Sequence, residues 1–203
     1  MPLKRLPFRN VSVLLKHHLS RQEDDKTAAL IRELRQARMR GYLTREELKK
    51  VCRWKSARAV RLIKRNSVAR VRTATRLALA TRSERRRLES LRTLDGVSVP
   101  MASAILMLLN PRRYGVIDIR VWQLLYALGE VTKKSTGIGF NFKNWYQFLI
   151  KLRYLAKAFH VDVRDIERSL FLAHQANQTG TLYRRTRKGM VRKPAANNKS
   201  TKF

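Results

Sequence analysis

One cysteine, four histidines and fourteen acidic residues are all that 203 residues offer of the side chains most used in redox, metal and acid–base chemistry. A single cysteine, Cys52, excludes an internal disulfide and any iron–sulfur cluster held by four thiolates. It fits a reducing cytoplasm. His17 and His18 are adjacent, but no further ligand is spaced to complete a metal site. His160 and His174 have no evident partners, so metal or thiol hydrolase chemistry is disfavoured. There is no apolar run long enough to cross a bilayer, no secretory h-region and no lipidation motif, so no membrane association is expected. Sustained alternation of period two is missing as well, which leaves little room for sheet, and no internal repeat is present.

What the chain has in excess is positive charge. Forty-six Lys and Arg give a formal net charge of +32, far beyond what solubility needs, and point to a polyanion, nucleic acid above all. From Arg53 to Arg92 fourteen basic residues meet two acids, a density that repels itself unless a polyanion neutralises it. Hydrophobic content of 44% is ample for one good-sized core or two small lobes. From Gln178 onward eight Lys/Arg occur with no acid and no apolar periodicity, which reads as a disordered basic tail. Without those eight the remainder still carries +24, so the folded body is itself polyanion-binding.

The pattern in between is helical. Residues 1–22 form a basic arm, with a short strand or helix around Val11 to Leu15. Glu23-Asp24-Asp25 opens a helix through Arg40 that stops at Gly41, acids at its start and arginines at its end. Thr44 to Glu47 reads as a capping box for a helix to about Arg53. Ser56 caps the next, which places Arg58, Arg61, Lys64 and Arg65 on one face and Ala59, Leu62 and Ile63 on the other. Asn66 ends it, and Ser67 starts a helix through Ala80. Thr81 and Glu84 suggest another capping box, before a charged helix from Glu84 to Leu94. Aromatic residues from Phe140 to Phe159 crowd a helix that ends near His160, mostly as core. Asp162 and Asp165 cap the last helix, to about Asn177.

The most informative stretch runs from Leu88 to Gly129. After the charged helix, Asp95-Gly96-Val97-Ser98 makes a tight turn, and Val99 to Leu109 follows without an ionisable side chain, as a helix buried on most sides. Ser98 can cap it, and free amides at its start suit a phosphate. Asn110-Pro111 breaks it. Asp118 then opens another helix, whose Val121, Trp122, Leu125 and Leu128 share an apolar face.

Leu94-Asp95-Gly96-Val97-Ser98, the small apolar helix and Val116-Ile117-Asp118 together resemble the helix-hairpin-helix DNA glycosylases of endonuclease III type. Gly96 and Asp118 stand 22 residues apart, in the order that family uses for its first hairpin glycine and its catalytic aspartate. The resemblance implies an all-α protein of two helical lobes, the domain spanning 23–177 with its hairpin at 84–109 and the tail at 178–203. It implies a cleft faced by Asp118 as the catalytic carboxylate. Gly96, Val97 and Ser98 would hold a phosphate through their amides, often beside a monovalent cation on hairpin carbonyls. Lys55, Arg58, Arg61, Arg65, Arg112 and Arg113 would grip neighbouring phosphates of double-stranded DNA.

Two departures refine the expectation. The second hairpin glycine is Ser98, and the place of the lysine nucleophile of strand-cleaving members is Pro100, which has no amine for a Schiff base. The activity implied is a monofunctional N-glycosylase that leaves an abasic site in an unbroken strand, in a cytoplasmic, nucleoid-associated monomer. Two other readings stay open on the same residues: a non-catalytic hairpin protein that clamps DNA, and an RNA-binding or ribosome-associated basic protein.

Overall fold

The computed structural model describes residues 3–4, 6–180 and 182. Almost all of the expected basic tail therefore lies outside the described residues. Among these the protein is all-α: no strand forms, and one isolated bridge joins Leu3 to Gln178. No helix is long and apolar enough to cross a membrane.

The helices are α1 (Val11–His18), α2 (Asp25–Arg40), α3 (Arg45–Ser56), α4 (Val60–Ile63), α5 (Val68–Ala80), α6 (Glu84–Arg92), α7 (Val99–Leu109), α8 (Ile119–Ala127), α9 (Phe142–Phe159) and α10 (Val163–Asn177). Their starts follow from side-chain caps. Asp24 Oδ1 accepts from Thr27 N, Thr44 and Glu47 form the expected capping box, and Ser67, Ser98 and Asp118 cap α5, α7 and α8. Gly41 closes α2 in the left-handed region, at φ +82°. At the start of α10 Asp165 Oδ2 accepts from Asp162 N at 3.1 Å.

Several boundaries differ from the sequence reading. The helix begun at Arg45 does not stop at Arg53 but runs to Ser56. One turn of 3-10 helix, Ala57–Ala59, then leads into α4, and Ser56 makes no cap. Burial explains the longer helix: Val51 and Cys52 are inside, and Trp54 Nε1 donates to Thr27 Oγ1 at 2.8 Å, holding the last turn against α2. Leu62, expected on the apolar face, is 41% exposed. The cap of α6 is Ser83, with Thr81 Oγ1 accepting from Ser83 N, so Thr81 and Glu84 form no capping box.

Helix α7 is the centre of the fold. Every residue from Val99 to Leu109 except Pro100 is buried, and α2, α3, α6 and α9 pack around it. Each fully buried large aliphatic side chain contributes about 1.5–3 kcal/mol, so no other element of this length matters as much to stability. Buried apolar side chains form one contiguous cluster from Val11 to Ala173. Trp145 and Phe148 are inside it as expected of core aromatics, whereas Tyr154 on the same helix is two-thirds exposed.

Candidate functional site

The turn between α6 and α7 is fixed from outside chiefly by the side chain of Asn66. Asn66, 1% exposed, accepts from Asp95 N at 2.9 Å and donates to Asp95 O and Ile63 O at 3.0 Å each. Its amide thus reproduces two strand-like backbone bonds and ties the turn to the end of α4. Gly96 sits at φ +80°, and a Cβ there would lie 2.9 Å from Leu62 Cβ and 3.2 Å from Ile63 N. Glycine is needed on both counts, conformation and close approach. Arg70 adds a second tether, donating to Thr93 O with its guanidinium 3.6 Å from Asp95.

The segment carrying Asp118 is fastened to α7. Ser103 Oγ donates to Pro100 O at 2.8 Å and accepts from Ile117 N at 3.1 Å, so a fully buried hydroxyl links the first turn of α7 to the residue before Asp118. On the other side, a Cβ at Gly115 would fall 2.8 Å from Glu167 Cβ and 2.7 Å from Leu152 Cδ1. Glu167 is 2% exposed and ion-paired to Arg164, which also holds Glu23. Burial pushes the Glu167 carboxyl above the usual carboxylate range, against the pull of Arg164.

Asp118 Oδ1 accepts from Val121 N at 3.0 Å as the cap of α8, and Oδ2 lies 3.6 Å from Lys55 Nζ. Both side chains are about one-fifth exposed. They open on a cleft of about 540 Å³ that also takes in Gly96, Ser98 and Pro100 of the turn. Arg58, Arg92 and Arg120 supply further positive charge, and Met101, Ile119, Ile138 and Phe140 the apolar wall. The volume lies within the range of small-ligand pockets, roughly 300–1,000 Å³.

One wall is the loop after α8, and α8 itself holds it. Trp122 Nε1 donates to Lys133 O and Lys134 O at 3.1 and 3.0 Å, and Gln123 Nε2 to Thr136 O at 3.1 Å. Gly137, at φ +67°, packs on the backbone of Ile119, where a Cβ would come within 3.1 Å. Gln123 Oε1 accepts from Nε2 of His174, whose Nδ1 faces Arg120 Nη1 at 3.5 Å. Burial and the Arg120 charge hold that imidazole down at about 4, so it is neutral at pH 7. His174 therefore has partners, contrary to the sequence reading.

Of the expected site residues, Asp118, Gly96, Ser98, Lys55 and Arg58 line one cleft. Val97 does not: its side chain is buried and its N–H is spent on Leu94 O at 3.1 Å, so it has no amide to offer a phosphate. Arg61 and Arg65 are exposed on and just after α4, outside the cleft lining. Arg112 and Arg113 line a different cavity, at the far end of α7. The sequence alone does not mark Arg92, Arg120, Asn66 and Ser103 as site residues. Asn66 and Ser103 act across 29 and 14 residues of chain, and no local pattern marks such partners. Cys52 is buried, and burial pushes its thiol up, away from reactivity. Among the described residues no group of His, Cys, Asp and Glu is placed to hold a metal ion. No protein-family model, curated protein or solved structure matches the chain.

Proposed function

We propose that this protein is a monofunctional DNA glycosylase of helix-hairpin-helix type, with α6, the turn and α7 as the hairpin and two helical lobes meeting at the Asp118 cleft. The observation that carries the reading is the convergence of Asp118 with the glycine turn and Lys55 on one cleft with room for a base. Separation in sequence did not require it.

In this reading the amides of Gly96 and Ser98, which have no acceptor among the described residues, anchor a phosphate at the start of α7. Arg58 and Arg92 neutralise its neighbours. A damaged or mismatched base leaves the stack and enters the cleft against Met101 and Phe140. The Asp118 carboxylate stabilises the positive charge that grows on the deoxyribose as the N-glycosidic bond lengthens, an effect worth more in a water-poor pocket than in bulk. The bonding pair leaves with the base. Water adds at the sugar carbon and gives its proton to Asp118 Oδ2.

The hairpin is a poor fit for the monovalent cation that the resemblance implies. Carbonyls of Thr93, Leu94 and Asp95 already accept from Arg70, Val97 and Asn66, and the Arg70 guanidinium puts a fixed positive charge there. No step runs through such an ion.

A second reading, a hairpin protein that clamps DNA without chemistry, is favoured by one feature. Both Asp118 oxygens are engaged, one by Val121 N and one by Lys55, as a purely structural cap would be. Incubating the protein with duplexes carrying uracil, 8-oxoguanine, alkylated purines or mismatches, followed by hot alkali, decides between them. Alkali-labile abasic sites on one lesion support the glycosylase; none on any lesion, with duplex binding retained, supports the clamp.

A further inference from the structure

The far end of α7 opens on a second basic surface. Two adjoining cavities of about 700 and 690 Å³ share Arg112 and Asp162, and so make one groove around the loop that follows α7. Its walls carry Arg35 and Arg38 of α2, Arg112 and Arg113 of the loop, and Arg153 and Lys157 of α9. Asp162 is the one acid in the lining, against six Lys and Arg.

The groove is held in shape. Pro111 O accepts from Arg164 N at 3.0 Å and Arg112 O from Val163 N at 3.4 Å, which pins the loop to the first turn of α10. Arg153 donates to Arg113 O at 3.1 Å and pairs with Glu84 at 2.8 Å. Glu84 is shared among Arg153, Arg113 and Arg87, and so offsets their charge only in part. Arg35, Arg38, Arg112 and Lys157 have no acidic partner among the described residues, and stand along the groove as uncompensated cations. Guanidinium and ammonium groups gathered in this way suit the phosphates of a backbone and carry no base readout.

The placement separates this groove from the Asp118 cleft. Helix α7 is buried along its length and rises about 15 Å from Val99 to Leu109, with the cleft at its first turn and the groove beyond its last. Bending a duplex by about 40–90° within roughly 20–30 base pairs costs on the order of 1–6 kcal/mol. A duplex seated on the cleft therefore reaches round to the groove only at that cost.

We propose that the groove is a second, sequence-independent site for double-stranded DNA, so that one protein molecule bridges two duplex segments. The count of two rests on the reading of the cleft as the first DNA site; occupancy of the groove does not. Full-length protein is mixed with two populations of a 12-base-pair duplex, labelled with donor and acceptor fluorophores. Energy transfer reports bridging, and sedimentation gives duplexes per protein. Arg38→Glu with Lys157→Glu removes two uncompensated cations, while Lys26→Glu with Arg32→Glu makes the same charge change outside both cavities.

The expected result is two duplexes per wild-type molecule, with energy transfer lost at least five-fold in the groove variant, retained in the control variant, and one duplex still bound. Equal loss in both variants reduces the effect to net charge and overturns the proposal, as does a wild-type stoichiometry of one. Base release by the groove variant is followed in parallel. Loss of bridging with base release intact separates this proposal from the glycosylase reading, whose failure would instead appear as no release by wild type.

Discussion

Lys55 Nζ, carried by the last turn of α3, stands 3.6 Å from Asp118 Oδ2 at the start of α8. The pair joins two elements 63 positions apart in sequence, and puts an amine beside the proposed catalytic carboxylate even though position 100 is proline. Ion-paired as an ammonium, Lys55 has no lone pair with which to attack a sugar aldehyde. Strand cleavage is therefore expected only after hot alkali, and borohydride added with abasic-site duplex leaves no covalent adduct. An adduct mapped by mass spectrometry to Lys55 would show that the pair opens on DNA and that the enzyme is bifunctional.

Asn66 is the buried fastener of the turn between α6 and α7. Asn66→Ala leaves the Asp95 N–H and carbonyl without their side-chain partner, at a cost of about 1–3 kcal/mol for buried groups left unpaired. Urea unfolding should show a lower midpoint at unchanged slope. Affinity for undamaged duplex should also fall, because Gly96 and Ser98 lose their fixed position. Unchanged stability would mean that the turn holds itself.

Two glycines should fail for different reasons. At Gly96, φ is +80° and Leu62 Cβ is close, so Gly96→Val combines backbone strain with a clash and weakens DNA binding. At Gly115 the backbone is ordinary, but a Cβ would collide with Glu167 and Leu152. Gly115→Ala is an overpacking change expected to cost about 1–3 kcal/mol. Thermal unfolding of both, with duplex affinity measured well below the transition, separates strain in the turn from pressure in the core.

His174 sets an acid limit on stability. Its folded-state value near 4 lies below the ordinary 6.5, so the unfolded chain binds the proton more readily. Its stabilising contribution is present above about pH 6.5 and is lost as pH falls from there towards 4, for a total of about 3 kcal/mol. Wild type and His174→Asn, unfolded in urea across pH 4–7, should converge towards the acid end. Parallel curves would show that the imidazole is not the group responsible.

How much could be read beforehand depended on the range of the interaction. Caps at Asp24, Thr44, Ser67, Ser98 and Asp118 are local chemistry, legible as a polar residue before an apolar run. The uncharged stretch 99–109 announced its burial, because such a run in a chain this charged has nowhere else to go. Trp54 and Ser56 misled, since an indole that bonds Thr27 from another helix extends α3 past its apparent end. Arg112 and Arg113, expected to grip phosphates neighbouring the one at the turn, line a cavity beyond the opposite end of α7. Nearness in sequence to Asp118 counted for less than the length of one buried helix.

The central claim is that Asp118 performs chemistry in the cleft and does not merely cap α8. Asp118→Asn keeps the cap, because asparagine serves there as well as aspartate, and removes the negative charge. On the duplex whose lesion wild type releases, single-turnover base release should fall at least about hundred-fold, the usual scale for losing one preorganised electrostatic contact. Duplex affinity and melting temperature should stay near those of wild type. Base release surviving the substitution, or a variant that fails to fold although its cap is intact, would contradict the account.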